Sequence, residues 1–561
     1  MARKKNLLII NDEKDIKYLN SYKIKSFEVL TFSPNLYINL KKIKIGFIVL
    51  KPNFFFNLKH HKLIIIKLKK INEKLKKDKS FDEKEKIYLR YLFQISLSSA
   101  FFIWYSLGFN RNWFYINNKR LIKTQDKKEI FNFTLNQLFN IYQHNFFGQI
   151  SYFSNPIILR INHFINKINI FFIKKEFNFI SNKKFIKLSP KYTLTLNKAS
   201  NLYLLKNIFN LFRNFNSKNK FIEFSSHERP NFSYKKNDLN IFFKKYLKIF
   251  YEDSIIIKNL SYCLSYNSIS FETFRQLFSN SKIKNFFTDE LKYRESLVLA
   301  NYLNLYKKNT KIYLASHGTH PPLGGDEFAN FQIKENSDGL LYSKFANFSV
   351  IQSKIAYDCI KSIKTKANII KSNPVSWSAN PLSNRLNPII KKDFYTILHA
   401  STFKTFCSRP YLYESPFEYI ENLNYLISQL LNTKNIKLII RPRNTPELNL
   451  STLKHLIIKS DQVEISTENS FSYDLNRCNA LISSSSTTIE EALYSKKPVL
   501  IYNCLGYNHF QFYDKNKSNP FLVLNKDIYT KSNIMKIESF LGKKNYNFKN
   551  YTWEKNKFKL I

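Results

Sequence analysis

Six consecutive hydroxyl residues, Ser483 to Thr488, stand between an apolar run and a helix-forming run in "ALISSSSTTIEEALYSKKPVLIYN" (480–503). The first turn of a helix has N–H groups without intrahelical partners and a partial positive charge. Small hydroxyl side chains let a phosphate approach those N–H groups and add donors of their own. We therefore predict a phosphate site formed by Ser484, Ser485, Ser486 and Thr487.

A structural alternative uses the same hydroxyls as helix caps. Thr487 with Glu490, and Thr488 with Glu491, both match the spacing of a capping box. One cap accounts for one hydroxyl, and this segment has six, so phosphate binding is the preferred interpretation. Glu491, one turn into the helix, could accept both hydroxyls of a ribose or serve as a surface carboxylate, and both roles remain open.

A second segment, "KIYLASHGTHPPLGG" (311–325), contains three of the nine glycines of the chain. His317 follows its apolar run, where a histidine can take a proton from a hydroxyl near neutral pH. Gly318 beside it permits a close approach of the backbone. We predict His317 as a general base in a loop with Gly318, Thr319 and His320. A loop histidine bonded to backbone is the alternative, and His320 could replace His317 as the base.

Arginines follow two other apolar runs. Arg441 and Arg443 lie in "IIRPR", and Arg409 lies in "CSRPY". A guanidinium can hold a phosphate with two hydrogen bonds, so we predict that these arginines bind an anionic ligand, with a surface charge as the alternative for each. No Asp-x-Asp flanked by apolar strands is present, and the acidic pair at 326–327 is interpreted as solvated. We therefore expect no metal site.

Alternating strand and helix patterns must position these residues. Apolar runs near 311–316, 345–353, 394–401, 436–443 and 480–483 alternate with helical patterns, which is typical of parallel sheets. The segment 373–388 contains three prolines and is interpreted as a linker. We expect an α/β fold in which residues 1–372 and 389–561 form two Rossmann-like domains that face a cleft, with ligands at the carboxyl ends of the strands.

The N-terminal half has weaker patterns. Residues 6–10 and 44–50 are predicted to form short buried strands. Between about 60 and 280 the periodicity favours a large, mainly helical elaboration of the N-terminal domain. The aromatic-rich region 98–117, with Trp104 and Trp113, is interpreted as core rather than as a stacking surface for a ligand.

Two of these segments resemble known transferases. The segment 483–503 is similar to the C-terminal nucleotide-binding segment of two-Rossmann-domain (GT-B) transferases and sugar-nucleotide epimerases, in which the hydroxyl loop holds nucleotide phosphates and the glutamate before alanine holds ribose. The resemblance implies these roles for residues 484–487 and for Glu491. The epimerases usually have a glycine pair where this chain has serines.

The histidine and arginine segments resemble surface-polysaccharide transferases. "SHGTHPP" is similar to the His-Gly-Thr-Pro loop of CDP-glycerol glycerophosphotransferases, whose histidine is the proposed base, except that His320 is inserted before Pro321. "IIRPR" is similar to a strand ending Arg-Pro-His-Pro, with Arg443 in the histidine position.

The resemblance implies a metal-independent, inverting enzyme without a cofactor. It would move a sugar or polyol-phosphate from a nucleotide-activated donor to a glycan or lipid-linked acceptor in surface carbohydrate biosynthesis. A UDP-sugar 2-epimerase and a non-enzymatic basic binding protein are the alternatives.

Composition limits the partners and the compartment. The formal net charge is +48, but Lys, Asn, Ile, Phe and Tyr all have A/T-rich codons, so genome bias is preferred over nucleic-acid binding. We expect no nucleic-acid partner and a weak attraction for anionic lipid head groups. Five scattered cysteines form no CxxC pair, which favours a reducing compartment. No segment approaches the ~18 apolar residues of a membrane span, so we expect a cytoplasmic protein, with contact at the inner membrane face left open.

Overall fold

The computed structural model describes residues 6–19, 27–43, 47–53, 58–141, 186–188, 192–196, 201–205, 220–222, 241, 271, 274–275, 278–292, 294–315, 320, 322–323, 327–374, 394–400, 415–431, 433, 435–442, 448–466, 470–483, 486–502, 519–524, 531–543 and 545–553. The strands among these residues form three β-sheets. We call them the first, second and third sheet in chain order.

The first sheet has the strand order β3-β2-β1-β4-β5, and only β4 and β5 are antiparallel. Its strands are β1 (Asn6–Ile9), β2 (Glu28–Leu30), β3 (Ile48–Leu50), β4 (Asn112–Asn117) and β5 (Arg120–Thr124). Its helices are α1 (Glu13–Ile16), α2 (Pro34–Lys42), α3 (Leu58–Lys77), α4 (Glu83–Ser106) and α5 (Lys127–Ile141).

Helices α3 and α4 form because apolar residues recur every three or four positions and because α4 has a strong start. Ile64, Leu68 and Ile71 of α3 are buried on one face. Asp82 accepts from the backbone N–H of Glu85, and Glu85 accepts from that of Asp82, each at 2.9 Å. This capping box satisfies two N–H groups at the start of α4.

The second sheet has the order β13-β12-β11-β10-β8-β7-β6, with β9 beside β7. Its strands are β6 (Ile186–Leu188), β7 (Tyr192–Leu196), β8 (Asn201–Leu205), β9 (Lys220–Ile222), β10 (Asn285–Thr288), β11 (Lys311–Ala315), β12 (Phe348–Ile351) and β13 (Asn368–Lys371). Its helices are α6 (Arg294–Tyr306), α7 (Glu327–Ser337) and α8 (Lys354–Ile363). One hydrophobic core contains Ile9 of the first sheet, Leu89 of α4 and Leu314 of the second sheet, so these two sheets pack as one body.

The third sheet is wholly parallel, with the order β16-β15-β14-β17-β18-β19. Numbered from its first strand, this is the order 3-2-1-4-5-6 of a Rossmann fold. Its strands are β14 (Tyr395–His399), β15 (Ile436–Ile440), β16 (Val463–Ile465), β17 (Ala480–Ser483), β18 (Val499–Tyr502) and β19 (Phe521–Leu524). Its helices are α9 (Pro416–Leu431), α10 (Leu450–Leu456), α11 (Phe471–Asn476), α12 (Thr488–Tyr494) and α13 (Lys531–Leu541), followed by a 3-10 turn at Phe548–Asn550.

The predicted α/β alternation after residue 280 is confirmed, but the N-terminal half differs from the prediction. Instead of one sheet with a mainly helical elaboration, the described residues form two sheets, and strands β4 to β9 all lie between 60 and 280. The β4–β5 hairpin turns through Asn118 and Lys119, both with positive φ, as a tight hairpin requires. Of the predicted linker, only residues 373–374 are described, and the domain division stays a prediction.

Trp113 is 4% exposed and belongs to the core, as predicted, whereas Tyr105 and Phe109 of the same aromatic-rich region are exposed. Within the described part of the chain, no helix is long and apolar enough to span a membrane.

Candidate functional site

The topological switch point of the third sheet lies between β14 and β17, because the strand order reverses there. Ligands of open α/β sheets bind in the crevice at the carboxyl ends of such strands. Ala400 follows β14 directly, and Thr488 opens the helix that follows β17. The Thr488 hydroxyl donates to the Ala400 carbonyl at 3.4 Å, so the start of α12 lies across this crevice.

The capping boxes, which were the structural alternative to a phosphate site, do not form. Thr487 has helical dihedral angles (φ −60°, ψ −20°) and its side chain makes no capping hydrogen bond, whereas a capping residue normally has an extended backbone. Thr488 uses its hydroxyl on Ala400. Ser486 Oγ instead accepts from the Thr488 N–H at 3.3 Å. Ser484 and Ser485 lie outside the described residues.

The two adjacent glutamates of α12 have different environments. Glu490 is 3% exposed and accepts a hydrogen bond from the Ser353 hydroxyl. Glu491 is half-buried, and burial together with the neighbouring Glu490 carboxylate raises its pKa to about 7. A carboxyl group that titrates near neutral pH can donate as well as accept hydrogen bonds.

Arg441 follows β15, which neighbours β14 on the side away from β17. Its Nη1 donates to Asp474 Oδ2 at 2.7 Å, and Asp474 is fully buried. The same carboxylate accepts from Ser466 Oγ at 2.5 Å and from Arg477 Nη2 at 3.4 Å. The Arg441 side chain keeps 27% of its surface exposed, so Asp474 holds one side of a guanidinium that solvent reaches on another.

The second sheet contacts the third sheet at α12. Tyr494 Oη donates to the carbonyl of Gln352, just past β12, at 2.6 Å, and accepts from the Trp553 N–H at 2.9 Å. With the Ser353–Glu490 bond, these contacts bring the carboxyl end of β12 against the helix that begins at the switch point. Residues just past β12 therefore contact the middle and the C-terminal end of α12.

The predicted histidine loop begins beside this contact. Strand β11 ends at Ala315, which pairs with Val350 of the neighbouring strand β12. His317, Gly318 and Thr319 lie outside the described residues, as do Arg409 and Arg443. His320 is described and is only 2% exposed, so its imidazole is poorly placed to meet a ligand from solvent.

A buried charged cluster follows β10 and was not predicted. Asp289, Glu290 and Lys292 are each less than a tenth exposed. Lys292 Nζ donates to the carbonyls of Glu335 and Asn336 at the end of α7, at 2.9 and 2.7 Å, and burial lowers its pKa to about 8. The sequence feature that could have revealed this cluster is "FFTDELK", in which charged residues come directly after an apolar run. The Lys292 contacts are those of a helix C-terminal cap, so we assign Lys292 a structural role.

Metal-binding geometry is not found in the described part of the chain, where no group of three or more His, Cys, Asp or Glu side chains could hold a metal ion. Glu327, from the acidic pair interpreted as solvated, opens α7 with its side chain 79% exposed and pairs with Lys69.

Asp474 and Ser353 were also missed by the sequence analysis. Each lies far along the chain from its partner, since Asp474 is 33 positions from Arg441 and Ser353 is 137 positions from Glu490. No local spacing could therefore reveal either contact.

No protein-family model matches the chain. No curated protein matches it either. Among solved structures, UDP-GlcNAc 2-epimerase from Neisseria meningitidis bound to UDP-GlcNAc is similar with a TM-score of 0.36 and 12% identity, over 51% of this chain and 77% of that one. The UDP-GlcNAc 2-epimerase of Methanocaldococcus jannaschii is similar with a TM-score of 0.34 and 12% identity, over 52% of this chain and 79% of that one.

The pneumococcal O-GlcNAc transferase GtfA in complex with UDP and GlcNAc gives a TM-score of 0.28 and 9% identity, over 50% of this chain and 52% of that one. Similarity at this level assigns neither a family nor an activity to the chain. The strand order and the contacts of the third sheet therefore carry the functional argument.

Proposed function

We propose that the chain is a transferase that moves a sugar or polyol-phosphate from a nucleotide-activated donor to a glycan or lipid-linked acceptor. The observation that carries the proposal is the switch point of the third sheet, where hydroxyl-rich residues after β17 and Arg441 after β15 flank the end of β14. Hydroxyl and guanidinium donors at this place suit a nucleotide diphosphate.

In this proposal each group of residues contacts a different part of the nucleotide-activated donor. Ser484, Ser485, Ser486 and Thr487 hold the diphosphate, and Glu491 holds the ribose hydroxyls. Arg441, together with Arg409 and Arg443, offsets the negative charge that grows on the leaving phosphate. The support for Arg441 is strongest, because the buried Asp474 carboxylate restricts its guanidinium before any ligand arrives.

His317 is the proposed general base. The acceptor hydroxyl attacks the transferred group as the bond to the leaving nucleotide breaks, which releases a nucleoside diphosphate from a sugar donor or a nucleoside monophosphate from a polyol-phosphate donor. The hydroxyl proton passes to His317, and the configuration at the attacked atom inverts. His317 is preferred to His320 because it is closer in sequence to the end of β11 and because His320 is almost wholly buried. The reaction as proposed uses no metal ion and no cofactor.

A thermal-shift panel of CDP-, UDP-, GDP- and CMP-linked donors tests the proposal, since a ligand that binds only the folded chain raises Tm. We expect one donor type to raise the Tm of the wild type and to raise that of Arg441→Gln much less. Arg477→Gln is the matched control, because Arg477 also contacts Asp474 but pairs with Glu464 at the surface. The proposed donor site is wrong if no donor raises the Tm of the wild type. It is also wrong if a donor raises the Tm of both variants as much as that of the wild type.

The epimerase alternative differs in its need for an acceptor. An epimerase would convert a UDP-sugar alone, whereas the proposed transferase consumes the donor productively only with an acceptor present. Conversion of a free UDP-sugar to its 2-epimer, lost in Arg441→Gln, would replace the transferase proposal.

A further inference from the structure

An unusual surface lies where the start of α3 meets the end of α4. We call it the α3–α4 surface and define it by its exposed members, Lys59, Leu63, Ile66, Lys70, Tyr105 and Phe109. The two aliphatic side chains are 39% and 37% exposed, and the two aromatic ones are 41% and 62% exposed. Large apolar side chains on a protein surface are usually scattered singly, and a group of four exposed together is typical of an interaction site.

Ring contacts connect the two helices at this surface. The rings of His60 and Tyr105 lie 5.9 Å apart, and those of Phe101 and Tyr105 lie 5.3 Å apart. Lys67 Nζ lies 4.9 Å from the Phe101 ring, and Lys127 Nζ lies 3.3 Å from the Phe109 ring. Apolar and cationic groups are therefore interleaved.

The exposed apolar residues of α3 are additional to its core face. Ile64, Ile65 and Leu68 on the opposite side are each at most 3% exposed. Leu63 and Ile66 therefore lie outside the buried core face of the helix. Their position between exposed lysines gives the helix a second, amphipathic face toward solvent.

Positive charge predominates in this region, with the exposed Glu73 one turn beyond Lys70 as the acidic residue of α3. Residues 58–72 contain five lysines and no acidic residue, and residues 91–110 contain no charged residue at all. Lys69 is paired with Glu327 of α7, whereas Lys59 and Lys70 are exposed beside the apolar pair. A partner for this face must therefore be anionic and must also accept apolar side chains.

We propose that the α3–α4 surface binds the head-group region of an anionic lipid bilayer. Amphipathic helices with lysines beside apolar residues lie in this region, with the apolar side chains at the acyl boundary. Tyrosine and other amphipathic rings favour the same depth. Single-stranded nucleic acid fits less well, because base stacking would use only Tyr105 and Phe109 and would leave the exposed aliphatic side chains of Leu63 and Ile66 without an apolar partner. This inference does not depend on the proposed transfer reaction.

Sedimentation of the full chain with vesicles tests the inference. Neutral phosphatidylcholine vesicles are compared with vesicles that also contain phosphatidylglycerol, using wild type, Leu63→Ser/Ile66→Ser and Lys59→Gln/Lys70→Gln. We expect binding only to the anionic vesicles, and roughly 30-fold weaker binding for the two-lysine variant. The two-aliphatic variant should also bind several-fold more weakly, and circular-dichroism melting checks that both variants are folded.

Matched controls separate this surface from the general positive charge of the chain. Lys454→Gln/Lys459→Gln removes the same charge from exposed positions near α10, and Met535→Ser removes an apolar side chain that is 61% exposed on α13. Both should bind like the wild type. Equal loss in the α3–α4 and control variants would overturn the inference, as would absence of vesicle binding. It would also be overturned if single-stranded RNA bound more tightly than vesicles and lost affinity in the same α3–α4 variants.

Discussion

Burial gives individual residues of the third sheet properties that their types alone do not predict. Asp474 lies under Arg441 as a fully buried carboxylate with three hydrogen-bond donors. Glu491 has a pKa near neutrality because it is partly buried beside Glu490. The sequence singled out Arg441 because it follows an apolar run, and Glu491 because it lies one turn into the helix after the hydroxyl residues. It could not reveal Asp474, whose effect comes from tertiary contact.

Asp474→Asn should weaken donor binding by about tenfold, because Arg441 loses the charged hydrogen bond that fixes its guanidinium. A double-mutant cycle with Arg441→Gln, read by donor Kd, tests whether Asp474 acts through Arg441. In the Arg441→Gln background, Asp474→Asn should cause little further loss. An equal loss in both backgrounds would show that Asp474 affects binding by another route.

The pKa of Glu491 predicts a pH dependence of stability. Because its pKa in the folded state is about 7, above the ordinary 4.5, the folded chain holds a proton there that the unfolded chain releases. The free energy of unfolding should therefore fall as pH rises from about 5 to 8, by roughly 2 kcal/mol from this group.

Glu491→Gln should remove this part of the pH dependence. Urea unfolding at pH 5 and pH 8 measures it, and Glu73→Gln, at an exposed position, is the control. Parallel pH profiles for the wild type and Glu491→Gln would contradict the assigned protonation.

At the scale of elements, apolar runs predicted the central strands of the third sheet because strands buried on both faces lack polar alternation. The edge strands β16 and β19 were missed, since each has only three or four residues with incomplete burial. The β4–β5 hairpin was missed because its turn, Asn118–Lys119, lacks the glycine that usually marks such turns. Between β15 and β16, the described residues contain one helix, α10, which spans Leu450–Leu456.

The contact between α12 and the second sheet should be sensitive to a single hydroxyl. Tyr494→Phe removes the bonds to the Gln352 carbonyl and the Trp553 N–H, and it leaves buried polar groups unsatisfied. We expect a loss of about 1–3 kcal/mol in the free energy of unfolding. Tyr473→Phe, at a side chain 53% exposed, should change it little, and equal effects would mean that the inter-sheet contact contributes nothing.

Alanine substitutions at two glycines with positive φ distinguish the cost of backbone strain from the cost of a steric clash. At Gly108 (φ +69°) an added Cβ meets nothing closer than 3.4 Å, so Gly108→Ala should cost about 1–2 kcal/mol through strain alone. At Gly339 (φ +81°) the Cβ would lie 2.6 Å from Lys292 Cγ and 3.0 Å from the Leu291 carbonyl carbon. Gly339→Ala should therefore cost about 2 kcal/mol more in chemical denaturation. Similar losses at both positions would contradict the packing around Lys292.

At the scale of the whole molecule, the first and second sheets share one hydrophobic core, and polar and aromatic contacts among the described residues join the third sheet to them. Lys51 after the first sheet pairs with Glu421 of α9, and the rings of Tyr37 and Phe417 lie 5.5 Å apart. The second sheet reaches the third through Ser353 and Glu490. Such contacts join residues hundreds of positions apart, which is why the sequence predicted the presence of a nucleotide-binding edge but not what surrounds it.

The position of a bound donor tests the central claim most directly. We predict that a crystal structure with the donor selected by thermal shift will show its diphosphate past the carboxyl ends of β14 and β17. It should lie within hydrogen-bond distance of Ser486 or Thr487 and of the Arg441 guanidinium. A diphosphate bound instead at the first or second sheet, away from Arg441, would contradict the account.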